Sequence, residues 1–166
     1  MRLLAASVLM SAILLPSCAS GHSQLPTDPV QWSVDDDSSH PVHRGATSAL
    51  RVHAHIKEGW HVYASSQLEG GPTPLKASLE ENTIASLSGK IDGSEPLKLL
   101  DTSFDLETTV YKTDFSLNIP VRLENDAPSG VSAIPVSIRY QSCSDRTCMP
   151  PKTIHLRVPV SVLATR

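Results

Sequence analysis

Four stretches of this chain alternate apolar and polar residues with a period of two. Leu50, Val52, Ala54 and Ile56 face one way, with Arg51, His53, His55 and Lys57 the other. Phe115, Leu117, Ile119, Val121 and Leu123 alternate in the same manner with Ser116, Asn118, Pro120, Arg122 and Glu124. Ile134, Val136, Ile138 and Tyr140 repeat the pattern, and so do Ile154, Leu156, Val158, Val160 and Val162. Successive side chains of an extended strand point to opposite faces, so such runs describe strands with one face buried and one wet. Val30 to Val34 could add a short first strand. No segment carries sustained helical periodicity with caps. Turn signals recur at Glu58-Gly59, Gly70-Gly71-Pro72, Asp92-Gly93 and Pro128-Ser129-Gly130. Short strands at this spacing, with 13 prolines, predict an all-β chain folded as an antiparallel β-sandwich of immunoglobulin type. Pro120, Pro135 and Pro159 lie inside the alternating runs. Proline has no N–H to give to a ladder, so some of them are expected at sheet edges or bulges.

The chain has 166 residues, enough for one domain with its own core. Met1-Arg2 followed by the apolar run Leu3 to Leu15 reads as a secretory signal, too short to span a bilayer comfortably. Its end can be read in two ways. Leu15-Pro16-Ser17-Cys18 resembles a bacterial lipoprotein box with Cys18 as the lipidated residue, whereas Ser17-Cys18-Ala19 is a small-x-small site for ordinary signal peptidase. The expected organisation is a signal over 1–18, a small, polar, proline-containing tether over 19–29, and one β-sandwich domain over 30–166. Any membrane attachment would then run through the lipid alone. Loss of Arg2 leaves 13 of the 14 basic residues against 17 acidic ones, a net charge of −4. That balance, with no basic stripe and few aromatics, excludes a nucleic-acid partner. Asp35-Asp36-Asp37-Ser38-Ser39 is read as a solvated turn, because the glycine and ligand spacing of a calcium loop are missing.

The chemistry is concentrated in Tyr140-Gln141-Ser142-Cys143-Ser144-Asp145-Arg146-Thr147-Cys148-Met149-Pro150-Pro151. Cys18 is spent in either reading of the signal, which leaves Cys143 and Cys148 as an even pair with four residues between them. A bridge there closes a very short loop, for which chain entropy yields only about 2 kcal/mol. It is poorly placed as a staple and well placed to open and close, so the pair reads as redox-active. Arg146 would favour a thiolate and Asp145 would oppose it. Pro150 and Pro151 stop ladder pairing and leave an edge where a partner could dock.

With Gly59-Trp60-His61-Val62-Tyr63 and Gly70-Gly71-Pro72-Thr73-Pro74 upstream, the cysteine stretch resembles the N-terminal periplasmic domain of the thiol:disulfide interchange protein DsbD. Phe104, seven residues before Tyr111, matches the spacing of an aromatic that caps the cysteine pair in that family. The resemblance implies an immunoglobulin-like sandwich in the bacterial periplasm that takes electrons from a thioredoxin-like donor and passes them to exported disulfide oxidoreductases. It implies Cys143 and Cys148 as the redox pair, Cys148 as the residue that joins partners, Phe104 as the cap and Tyr63 as a near-site aromatic. The sequence departs from the family in three places. One residue fewer separates the cysteines, Thr102-Ser103 stand where acidic residues precede the capping aromatic, and His61 replaces a tyrosine. A stand-alone domain is expected, its electrons arriving from a membrane carrier in another chain.

Other readings belong to the same residues. The bridge could be a static staple in a non-catalytic binding module. Tyr63 and Trp60 could serve packing alone, and His61 could either influence a nearby thiol or lie on the surface. His53 and His55 share a strand face, and Cys143, Cys148 and Met149 are soft ligands suited to Cu(I). No third ligand is placed by that pattern, so neither metal nor cofactor is expected.

Overall fold

The computed structural model describes residues 28–36 and 39–163. The proposed signal, Cys18, most of the tether and Asp37-Ser38 of the acidic run lie outside the described residues. In chain order the strands are β1 (Val30–Val34), β2 (Val42–His43), β3 (Thr47–Ile56), β4 (Trp60–Tyr63), β5 (Lys76–Leu79), β6 (Ala85–Leu87) and β7 (Asp92–Gly93). There follow β8 (Leu97–Asp101), β9 (Leu106–Tyr111), β10 (Phe115–Leu123), β11 (Gly130–Tyr140), β12 (Ser142–Ser144) and β13 (Lys152–Leu163). Among the described residues there is no helix.

Two sheets form the sandwich. The first runs β1-β3-β10, with β6 and β7 sharing the far side of β10, and the second runs β2-β13-β11-β5. All of these pairings are antiparallel except the two-residue contact of β2 with β13. The alternating runs are the four long strands, and their apolar positions form the core. Val52, Ile119, Val121, Ile134, Val136 and Ile138 are wholly buried. Each such side chain contributes about 1.5–3 kcal/mol by leaving water. Trp32 meets Phe115 edge-on at 5.6 Å between centroids, and Phe115 stacks on Tyr111 at 3.9 Å.

The prolines inside the strands sit where a missing N–H does little harm. Pro159 lies on a stretch of β13 paired only with β11, and Pro135 lies just beyond the ladder between β11 and β5. Pro120 faces the gap between β6 and β7, where Gly89 makes room: a Cβ there would meet the proline ring at 3.3 Å. Asp92-Gly93, read as a turn, is instead a two-residue strand. A Cβ on Gly93 would fall 2.1 Å from the Ser116 carbonyl oxygen, so only glycine lets β7 approach β10.

A third sheet, ordered β12-β4-β9-β8, is built from strands of three to six residues. It grows directly out of the sandwich. The chain leaves β3 through a tight turn in which Trp60 N–H donates to Lys57 C=O at 3.1 Å and Gly59 takes φ +80°, entering β4. At the other side only Gln141 separates β11 from β12. The last rung before that switch pairs Tyr140 with Lys152. Asp28 closes it: the Tyr140 hydroxyl donates to its carboxylate at 2.9 Å, Lys152 forms an ion pair with it, and Val30 N–H donates to its other oxygen.

Candidate thiol–disulfide site

The dodecapeptide around the cysteines folds as a small hairpin at the edge of the third sheet. Ser144 N–H donates to Thr147 C=O at 2.8 Å and Met149 N–H to Ser142 C=O at 2.9 Å, which brackets the pair. The Ser144 hydroxyl accepts from the Arg146 and Thr147 amides, fixing the turn with a short polar side chain. Cys143 and Cys148 face each other across this hairpin as a disulfide, with Cα atoms 4.0 Å apart. The two cysteines are not equally buried. Cys143 is 1% exposed, while Cys148 is only partly buried. Asp145 and Arg146 both lie exposed in the turn.

The other side of β12 pairs with β4, where Cys143 stands directly opposite His61 and Ser142 opposite Val62. Cross-strand partners project to the same face, so His61, Cys143 and Cys148 form one row, and Tyr63, two residues on, shares that face. Tyr63 and Cys143 are buried together with Val110 of β9, and Phe104, Leu99 and Cys148 pack against them. Phe104 sits in the turn between β8 and β9 and meets the Tyr63 ring edge-on at 6.0 Å. Thus the structure brings together Cys143, Cys148, Tyr63, Phe104 and His61, all five site residues read from the sequence that lie among the described residues. Trp60 packs on the main core instead.

One further residue was not singled out. Asp101, at the end of β8, is 5% exposed and accepts the Tyr63 hydroxyl at 2.6 Å. Its second oxygen accepts Ser103 N–H at 2.8 Å, which starts the turn that presents Phe104. An aspartate two residues before a serine amide is an Asx-turn signature, the signal that could have identified it. Burial, and then the Asp101 carboxylate beside it, raise the Tyr63 phenol well above its ordinary range, so its proton stays in place. His61 makes a T-shaped contact with Tyr63 at 5.0 Å and holds Nε2 3.9 Å from Asp101. Its side chain is 13% exposed, so it is an interior residue of the site. Burial lowers its pKa, with Asp101 and Asp145 opposing that shift and Lys112 adding to it.

The loop after β4 is tied to β9 and to the switch between β11 and β12. Thr73 N–H donates to the Gln141 side-chain oxygen at 2.8 Å, and Gln67 donates to Thr109 C=O at 2.7 Å. Gly70 takes φ +79°, which accounts for glycine at that turn. Elsewhere, His53 binds Asp35 and His55 binds Asp114, each at 2.8 Å. Among the described residues no cluster of three or more His, Cys, Asp or Glu side chains is arranged to hold a metal ion.

Fold and site together define an immunoglobulin-like sandwich with a bridged cysteine pair packed in one cluster with Tyr63 and Phe104, a domain built for thiol–disulfide exchange. Residues 32–159 match the family described as thiol:disulfide interchange protein DsbD, N-terminal, and the chain belongs to that family of periplasmic domains. Among solved structures it is similar to the Neisseria meningitidis DsbD N-terminal domain in its reduced form. That likeness has 17% identity and a TM-score of 0.49, covering 71% of this chain and 82% of the other. No curated protein matches the chain.

Proposed function

We propose that this domain relays electron pairs between a thioredoxin-like donor and exported disulfide oxidoreductases, with Cys148 as the partner-facing sulfur and Cys143 as the resolving one. The observation that supports this assignment is the unequal burial of the two residues, with Cys148 partly buried in the hairpin and Cys143 enclosed. In the reduced domain the Cys148 thiolate attacks a partner disulfide, forming a mixed disulfide and releasing the partner's other sulfur, which takes a proton. Cys143 then loses its proton and attacks the Cys148 sulfur. The bridge re-forms, and the partner leaves with two thiols and two electrons. A thioredoxin-like donor runs the same steps backwards. Phe104 covers the pair between encounters and moves aside for a partner. Residues 1–18 serve as an export signal, 19–29 as a tether and 30–166 as the working domain. Cys18 carries the lipid anchor, and a membrane carrier in another chain supplies the donor.

A trapping experiment tests this reading. Cys143→Ser leaves Cys148 unable to be resolved, so it should accumulate a mixed disulfide with a thioredoxin-like protein, whereas Cys148→Ser should accumulate none. A wild-type bridge that resists dithiothreitol until the protein unfolds would mark a structural staple and overturn the relay.

A further inference from the structure

Cys143 sits where water scarcely reaches, yet each turnover must put a proton on its sulfur and take one off. The disulfide has no proton, and the reduced pair carries one on the sulfur of Cys143, a residue that is 1% exposed in the bridged form. A proton-transfer group must therefore lie inside the site. His61 stands directly opposite Cys143 in the β4–β12 ladder, on the same face. Its Nε2 is buried and has no hydrogen-bond partner while the bridge is closed. A buried ring nitrogen left unsatisfied is costly unless another state of the molecule uses it. Behind it, 3.9 Å away, lies the Asp101 carboxylate, fixed by the Tyr63 hydroxyl and the Ser103 amide.

Resting on the relay reading above, we infer that His61 is the proton-transfer residue for the Cys143 sulfur, with Asp101 positioning it and stabilising its charged form. When Cys143 resolves a mixed disulfide, its S–H proton passes to His61 as the sulfur–sulfur bond to Cys148 forms. The partner's sulfur leaves with the electron pair of the broken bond and is protonated from solvent. In the opposite direction a donor thiolate attacks Cys148, the Cys143–Cys148 bond breaks, and the departing Cys143 sulfur takes its proton from the imidazolium. The ionisable groups around the ring are Asp101 from β8, Tyr63 on its own strand, Cys143 from β12, Lys112 just after β9 and Asp145 in the hairpin turn. The phenol of Tyr63 keeps its proton throughout, so Asp101 alone can balance the imidazolium inside the site.

The test is the rate of reduction of the full mature protein by dithiothreitol, expressed per dithiothreitol thiolate and followed from pH 4 to 8. In the wild type this rate should rise about tenfold or more as pH falls through the His61 titration, because the imidazolium assists the leaving sulfur. The figure lies at or below the low end of general acid–base effects. His61→Gln should flatten the profile, and His61→Tyr, which installs the residue of the resembling family members, should do the same in a folded domain. Asp101→Asn should move the remaining step to lower pH. In the reduced wild type, the His61 imidazole resonance should also report the ionisation of Cys143, a readout that needs no variant. A flat wild-type profile, or a His61 resonance blind to Cys143, overturns the proton-transfer role while leaving the relay intact. A bridge that dithiothreitol cannot open in the folded protein overturns both.

Discussion

The sandwich and the small third sheet are built on opposite terms. In the two large sheets the four longest strands run for nine to twelve residues, and the wholly buried side chains are apolar apart from Tyr140. Among the described residues, the buried polar side chains other than tyrosine are Asp101, Thr108 and Ser142, and all three lie in the third sheet. Two of them, Thr108 and Ser142, have hydroxyls without a hydrogen-bond partner, as does His61 at Nε2. Buried polar side chains other than tyrosine are thus gathered in the sheet that carries the cysteines, although partnerless polar atoms also occur outside it, at Trp32 Nε1 and Arg44 Nε. The strands next to the cysteines are correspondingly short, so the site can rearrange while the sandwich stays closed.

That contrast can be broken most forcefully in the core. Ile119→Ala should lower unfolding stability by about 2–5 kcal/mol in a urea titration. The reduction rate of the bridge in the folded fraction should stay unchanged. Tyr63→Phe comes next, because it removes the hydroxyl from a buried carboxylate. About 2–3 kcal/mol of stability should be lost, and unlike the core change this one should also alter the reduction rate, through the Phe104 turn. Opening the bridge itself is the third case: the reduced protein should remain folded by circular dichroism and be only about 2 kcal/mol less stable than the oxidised one. The smallest effect on stability is expected from Phe104→Ala, about 1 kcal/mol or less for a half-covered ring at a turn. Its reduction by dithiothreitol should nevertheless accelerate several-fold. A Phe104→Ala protein that lost core stability without faster exchange would erase the distinction between the two regions.

The same division decided what could be read from the chain. The long strands were legible because seven to ten residues of strict alternation leave little doubt about which face is buried. Strands β4, β8, β9 and β12 carry no such period. Trp60–Tyr63 runs from partly to fully buried without alternating, and Leu97 and Leu100 on β8 are exposed apolar residues. The cysteines, Tyr63 and Phe104 were legible through motif and spacing. Asp101 was not: its spacing to Ser103 marks an Asx turn, but nothing in the sequence says that its other oxygen meets a tyrosine 38 residues away. His61 could be read as surface or site, and its register opposite Cys143 decides for the site.

Asp28 has one more consequence. Its carboxylate ties the point where the chain enters the fold to Tyr140 and Lys152, the rung from which the cysteine hairpin springs. The start of the described chain and the cysteine hairpin therefore share one end of the molecule. In a lipidated chain, residues 19–27 reach at most about 30 Å when fully extended. The cysteines would then patrol a thin layer above the bilayer and meet partners by lateral diffusion, close to the mouth of any carrier that delivers electrons through the membrane.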